Sequence, residues 1–189
     1  MSRTAVLAVL MAAASTAPAL AQSSGYAGQQ TREIKALSSQ EVADYLAGRG
    51  MGLARVAELN QHPGPAHVIE LRDKLALTPE QEAASRAVFA RMEAAAKALG
   101  AELVERERTL DRAFARRAIT DPDLAEQTAG IGTLQGRVRG VHLAAHIAMR
   151  RILTPDQVTR YNELRGYAGG PANLSDPAPA QHGHGNRAH

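Results

Sequence analysis

The residues with the clearest capacity for chemistry are two histidines and a methionine in one helical stretch. His142 and His146 are four positions apart, so on an α-helix both imidazoles lie on one face and can share a metal ion. Met149, near the same face, offers a soft thioether that favours copper or nickel over calcium. His67, from an earlier segment, is a candidate for a further ligand. The spacing predicts a site for Zn²⁺, Cu²⁺ or Ni²⁺, although two donors alone do not complete one.

The alternative is a purely structural role for the same histidines. In that interpretation His142 and His146 are ordinary edge residues beside an apolar stripe that includes Val138 and Ala145. An enzyme is not expected. A zinc-protease helix reads H-E-x-x-H, and here Leu143 occupies the glutamate position, so the general base is missing. No G-x-S-x-G elbow or phosphate-binding glycine loop after a strand occurs either, and no cofactor is required.

The C-terminal residues 168–189 are rich in glycine, proline, asparagine and histidine, which predicts a disordered tail. The tail contains His182, Gly183 and His184 in succession and a further histidine at His189. Short tracts of this kind bind Cu²⁺ or Ni²⁺ loosely, and the alternative is a solvated tail with incidental histidines.

The N-terminal residues 1–21 have the pattern of a secretory signal peptide. Arg3 precedes an apolar stretch, and Ala19-Leu20-Ala21 forms a small-x-small cleavage site. The pattern predicts export to the periplasm, followed by a flexible segment over 22–37. No second long apolar run occurs, so no membrane span is expected. The chain has no cysteine, which excludes disulfides and thiol chemistry, and export argues against nucleic acid as a partner despite the net charge of +3.

A repeated pentad marks the helix starts. The sequence reads LTPEQ at 77–81 and LTPDQ at 153–157, with a looser copy, LSSQE, at 37–41. Threonine or serine at the N-cap accepts a hydrogen bond from the third helical residue, whose glutamine or glutamate reaches back to the cap. Proline at the first helical position costs nothing there. The predicted structural caps are Ser38 with Glu41, Thr78 with Gln81, and Thr154 with Gln157.

These starts and the 3–4 spacing of apolar residues predict an all-α fold. It consists of a long antiparallel helical hairpin with short flanking helices, over a helical domain at 38–167. A hairpin this long cannot bury both faces of its helices alone, so we expect the short helices to fold back over it and two copies to pack together as a dimer. The predicted helices are 39–47, 65–75, 78–118, a helix from about 120 to 152, and 154–167, and a short segment around 53–59 is a further helical candidate.

Arginines are concentrated around the predicted hairpin turn. Arg106, Arg112, Arg116 and Arg137 are candidates for a basic face that attracts unfolded chains, with charge speeding encounter and neighbouring apolar side chains adding contact. The alternative for each of them is a solvated ion pair with a glutamate one helical turn away.

An exported helical chain with LTPEQ before its long helix and LTPDQ before its last helix resembles the LTxxQ-motif Spy/CpxP family of periplasmic chaperones. The stretches HPGPAHVIELRDKLALTPEQ and HLAAHIAMRRILTPDQVTRYNELRGY are most similar to its heavy-metal-sensor branch, typified by ZraP and CnrX. The resemblance implies a curved antiparallel homodimer and a role in envelope stress. It also implies ATP-independent binding of non-native periplasmic proteins or, alternatively, sensing or buffering of zinc, copper or nickel. A third option is a regulatory partner of a signalling receptor.

Overall fold

The computed structural model describes residues 24–167, and this part of the chain contains helices and no strands. Residues 24–31 belong to a separate unit with a single 3-10 turn at Gln29–Thr31. The predicted leader, 1–21, and the predicted tail, 168–189, lie outside the described residues. The all-α prediction is confirmed. The helices of the larger unit are α1 (Ser39–Leu46), α2 (Arg55–Leu59), α3 (Pro65–Glu70), α4 (Pro79–Ala115), α5 (Asp121–Ile152) and α6 (Pro155–Leu164).

All three predicted capping boxes are present, at the starts of α1, α4 and α6. At α4, the Thr78 hydroxyl accepts a hydrogen bond from the backbone N–H of Gln81 at 3.2 Å, and Gln81 Oε1 accepts one from the Thr78 N–H at 3.1 Å. At α6, Thr154 and Gln157 make the same pair of bonds. Local sequence therefore determines where these helices begin.

The two pentads also bind each other. Gln81 Nε2 lies 2.8 Å from Gln157 Oε1, and Gln157 Nε2 lies 2.9 Å from Gln81 Oε1. Each amide donates in addition to a backbone carbonyl, Gln81 to Ile152 and Gln157 to Leu75. The repeated glutamine thus caps its own helix and joins the start of α4 to the junction of α5 and α6.

Helices α4 and α5 pack along each other as an antiparallel hairpin, as predicted, and the short helices cover only part of it. Val68 of α3, Met149 of α5 and Tyr161 of α6 are fully buried in the largest apolar cluster, near the paired glutamines. Helix α1 crosses α4 so closely that a Cβ on Gly100 would collide with the backbone carbonyl of Tyr45. A glycine that would weaken an isolated helix is therefore required here by packing.

Helix α3 is shorter than predicted: it ends at Glu70 instead of near residue 75, and the chain then turns through Ala76, which has a φ of 48°. Residues 32–37, which fall in the segment predicted to be flexible, lie against α4. Ile34 is buried with Val104, and the Lys35 side chain pairs with Asp111 at 3.0 Å. No helix within residues 24–167 is long and apolar enough to cross a membrane. The dimer stays a prediction.

Candidate functional site

The main concave feature is an open cleft of about 930 Å³ beside the covered part of α5. One wall is the loop after α1, where Gly48, Met51 and Gly52 adopt positive φ angles of 66°, 46° and 79°. Glycine takes this backbone region without strain, and Met51 takes it at some cost. Helices α2, α3, α4 and α5 supply the other walls. The apolar side chains lining the cleft include Met51, Leu59, Pro65, Phe89 and Met92.

The histidine pair lies in this cleft and is buried. His142 is 3% exposed and His146 is 8% exposed, and both belong to the buried face of α5. The interpretation of the pair as edge residues beside an apolar stripe is therefore wrong. The two histidines are buried because α2, α3 and the loop after α1 cover their side of α5. Val141, by contrast, is only partly buried.

His146 is held by a network of polar groups. Its Nδ1 lies 2.7 Å from the carbonyl oxygen of His62 and 3.6 Å from Glu58 Oε2. Because a carbonyl oxygen only accepts, Nδ1 carries a proton and donates it to the His62 oxygen, which leaves Nε2 as the ring nitrogen not used in this bond. The Tyr161 hydroxyl donates to Glu58 Oε1 at 2.5 Å and accepts from the Gly64 N–H at 3.2 Å. Burial, followed by the bond to Glu58, raises the pKa of Tyr161, so its hydroxyl stays protonated.

Gly64 completes the fit around His146. A Cβ at this position would stand 3.1 Å from His146 Cε1 and 3.2 Å from Glu58 Oε2, which is tighter than ordinary packing. The turn before α3 therefore needs glycine so that the imidazole and the carboxylate can approach the backbone.

His142 has a different environment. Its Nε2 is buried, and neither ring nitrogen has a hydrogen-bond partner among residues 24–167. Gly50 faces the other ring nitrogen, Nδ1. Burial lowers the pKa of His142, and the nearby His146 lowers it further, so the ring is neutral at neutral pH. A neutral buried imidazole with free nitrogens can hydrogen-bond a ligand or bind a metal ion.

The other predicted ligands are not gathered at this pair. Met149 is packed in the apolar cluster and does not line the cleft. His67 does line it, but its Nδ1 lies 3.0 Å from Glu70 at the surface. Among residues 24–167, no three histidine, aspartate or glutamate side chains are grouped so that they could hold a metal ion. The described chain thus brings together two of the four predicted ligands.

The predicted basic face is divided between paired and unpaired arginines. Arg106 lies 3.9 Å from Glu102, one turn away, which is the solvated-pair alternative, and Arg112 lies 2.8 Å from Glu105, two turns away. Arg116 and Arg137 are exposed, and neither forms an ion pair within residues 24–167. Ion pairs of this exposed kind add little stability.

A second, smaller hollow of about 450 Å³ lies toward the hairpin turn. It is lined by Lys35, Leu110, Asp111, Phe114 and the buried Glu107. Burial raises the pKa of Glu107. The hollow is separate from the histidine pair and contains none of the predicted metal ligands.

Sequence reasoning missed Glu58, Gly64 and the role of Tyr161. Glu58 is a single acidic residue in a short helix, and its partners His146 and Tyr161 lie 88 and 103 residues further along the chain. No local pattern indicates such contacts. The one available signal was the turn His62-Pro63-Gly64, which placed a glycine and a histidine next to a helix start.

No protein-family model matches this chain, and no curated protein or solved structure matches it either. The resemblance to the LTxxQ family therefore stays a prediction that rests on the pentads and the all-α hairpin.

Proposed function

We propose that the protein is an exported, non-enzymatic chaperone that binds segments of non-native polypeptides in the cleft, without ATP, in the periplasm under envelope stress. The observation that carries the proposal is the wide, preformed cleft with apolar walls. Its volume of about 930 Å³ is enough for several side chains of an extended segment.

The rim of the cleft supports the same function. Large apolar side chains that remain exposed are concentrated in the stretch 46–59, between α1 and the end of α2. A monomeric protein rarely leaves such side chains together in water unless they contact a partner. Arg55 also lines the cleft and adds a positive charge that speeds encounter with acidic segments, whereas Lys97 is paired with Glu93 of the same wall at 3.0 Å. The residues exposed in this stretch are Leu46, Met51, Val56 and Leu59, of which Met51 and Leu59 line the cleft.

An aggregation assay with matched variants tests the proposal. Leu59, which is 58% exposed, lines the cleft, and Phe114, which is 54% exposed, lines the smaller hollow near the hairpin turn. We expect Leu59→Gln to weaken suppression of aggregation of a denatured client, measured by light scattering, whereas Phe114→Gln keeps it. Equal loss in both variants, or no suppression by the wild type, would contradict the proposal.

A metal sensor or buffer is the second candidate, and the geometry around His146 favours it. The bond from Nδ1 to a carbonyl oxygen, with a carboxylate beside it, is the outer-shell arrangement that orients histidine ligands of metals. The residues fit an ion only in part, because His142 and His146 supply two nitrogens and a zinc site needs four ligands. The double variant His142→Gln/His146→Gln separates the two functions. If it still suppresses aggregation of the client but no longer binds metal, the two functions are independent.

A further inference from the structure

The smaller hollow near the hairpin turn has a chemistry that packing alone does not explain. Its volume is about 450 Å³, and it is lined by one face of α4 and by the segment 32–37. The α4 residues in it recur every three or four positions, so their side chains lie on the same side of the helix. The lining residues are Glu107, Leu110, Asp111, Phe114 and Ala115 of α4, with Lys35 and Ala36 of the segment. The hollow shares no residue with the cleft.

The wall formed by the segment 32–37 is fixed to α4. The backbone N–H of Lys35 and its Nζ both donate to the Asp111 carboxylate, each at 3.0 Å. Ile34, the preceding residue, is 1% exposed and belongs to one apolar cluster with Val104 of α4. The hollow is therefore preformed, which lowers the cost of ordering it around a ligand.

Glu107 is the group in the hollow that lacks a partner. It is 8% exposed, and its carboxyl group makes no hydrogen bond or ion pair within residues 24–167. Its oxygens are open to the hollow, since neither belongs to the fully enclosed polar atoms of the described chain. A buried carboxyl group without a partner is costly, whereas an alanine or leucine would pack there without that cost. The carboxyl group therefore indicates a ligand that supplies the missing contact.

The charges and the apolar lining of the hollow select the kind of ligand. Asp111 is paired with Lys35, so the ionised carboxylate of Glu107 leaves one negative charge uncompensated. Phe114, which is 54% exposed, offers an aromatic ring whose face attracts cations. Leu110 adds an aliphatic surface. A cation on an apolar stem complements both the charge and the lining, and an anion would be repelled.

We propose that the hollow binds a small organic cation, a protonated amine or guanidinium group on a short apolar stem. The Glu107 carboxylate accepts charge-assisted hydrogen bonds from the cationic head, while Leu110 and Phe114 contact the stem. A volume of about 450 Å³ is in the range of small-molecule sites. The inference goes beyond the proposed chaperone function and does not depend on it.

The occupant is a free molecule and not a side chain of a bound polypeptide. Large exposed apolar side chains, which would hold the rest of a polypeptide, are concentrated in the stretch 46–59 beside the cleft. At the hollow, Phe114 is the one side chain of this kind within residues 24–167. The hollow therefore suits a ligand that fits inside it.

Ligands that share one stem test the preference for a cation. The full chain is titrated with pentylamine, pentanol and pentanoate at neutral pH, and binding is followed by NMR. Pentylamine is protonated there, because an alkylammonium group resembles lysine, with a pKa of about 10.4. We expect saturable shifts of the amides of 35–36 and 107–115 with pentylamine. Pentanol and pentanoate should bind at least about tenfold more weakly, because they cannot donate a charge-assisted hydrogen bond to Glu107.

Three variants test which side chains bind the amine. Glu107→Gln keeps the shape of the side chain but removes its charge, and should weaken pentylamine binding by at least about tenfold. Phe114→Leu keeps an apolar contact without the aromatic ring, and should weaken it by about two- to fivefold. Glu102→Gln is the matched control, because this exposed glutamate of α4 lies outside the hollow, and it should bind as the wild type does. Circular dichroism checks that each variant folds.

The opposite results would overturn the inference in distinguishable ways. Equal affinity for pentylamine and pentanol would mean that the hollow takes any apolar stem. Equal weakening in Glu107→Gln and Glu102→Gln would mean a diffuse effect of surface charge, and no saturable binding would mean no site. Tighter binding of a blocked lysine-containing tripeptide than of pentylamine would assign the hollow to polypeptides. The aggregation assay tests the cleft separately, so failure here leaves the chaperone proposal unaffected.

Discussion

The covered and the bare parts of the hairpin differ in how many of their side chains are buried. The covered part, residues 79–107 and 131–152, packs against the short helices and contains all of the buried residues of α4 and α5. The bare part, residues 108–130, includes the turn and has no buried residue. The comparison shows that α4 and α5 are held together by what covers them, since helix propensity alone gives only marginal stability.

The candidate site follows the same division. The buried histidines, the Glu58 network and the cleft belong to the covered part, where several elements contribute side chains to one place. The bare part contributes exposed charges and one side of the smaller hollow. A preformed site is expected in the covered part, because the buried side chains of α4 and α5 are all packed there.

The largest expected effect is from Gly100→Ala in the covered part. The new Cβ would meet the Tyr45 backbone, which cannot yield unless α1 moves away from α4. Overpacking of this kind costs roughly 1–3 kcal/mol and sometimes more, so we expect a loss of about 3 kcal/mol in the free energy of unfolding. Chemical denaturation measures it. A loss below about 1 kcal/mol would mean that α1 does not fix the covered part.

Gln81→Ala should have the next largest effect. The side chain caps α4, binds Gln157 and donates to the Ile152 carbonyl, so several bonds of about 1 kcal/mol each are lost. We expect a loss of about 2 kcal/mol in the free energy of unfolding. Because the glutamines share one interaction, Gln81→Ala/Gln157→Ala should cost less than the sum of the single variants.

The control for this prediction is a cap of the bare part. The Thr120 hydroxyl accepts from the Asp123 N–H at 3.3 Å at the start of α5 and has no glutamine partner. Thr120→Ala should cost about 1 kcal/mol, the usual value for an N-cap. Equal losses of unfolding free energy in Thr120→Ala and Gln81→Ala would show that the hydrogen bonds between Gln81 and Gln157 add nothing to the capping of the helix.

The hairpin also shows which features of the structure can be predicted from the sequence and which cannot. The caps at Thr78 and Thr154 were predictable because every bond of a capping box lies within four residues. The binding of Gln81 to Gln157 was not, because it depends on how α4 and α5 align. The burial of His142 was missed for the same reason: apolar spacing on α5 did not reveal that α2 and α3 would cover the histidine side.

The buried side chains of His142 and Glu107 should make the free energy of unfolding depend on pH in opposite directions. Burial lowers the pKa of His142 below its ordinary 6.5, so the folded state resists protonation. Its stability contribution is therefore complete above that pH and is lost as the pH falls toward the folded pKa. Burial raises the pKa of Glu107 above 4.5, so the folded state prefers the protonated acid and loses stability as the pH rises through the folded pKa.

Denaturant titrations between pH 4.5 and pH 7.5 test both signs. On acidification, the free energy of unfolding should fall less in His142→Gln than in the wild type. On going to higher pH, it should fall less in Glu107→Gln than in the wild type. Glu126→Gln, in the exposed bare part, controls for removal of one negative charge. An unchanged pH profile in His142→Gln would mean that the imidazole titrates alike in the folded and unfolded chains.

The smallest expected effect is a gain, from Gly132→Ala on the exposed face of α5 near the bare part. A Cβ there has nothing within 4 Å, in contrast to Gly100. Alanine is favoured over glycine in a helix by about 1 kcal/mol, and no contact opposes the change, so the free energy of unfolding should rise by about 0.5–1 kcal/mol. Gly136→Ala, equally open, should give the same gain. A loss in either variant would mean that another chain packs on this face in solution, because a single hairpin leaves the space free.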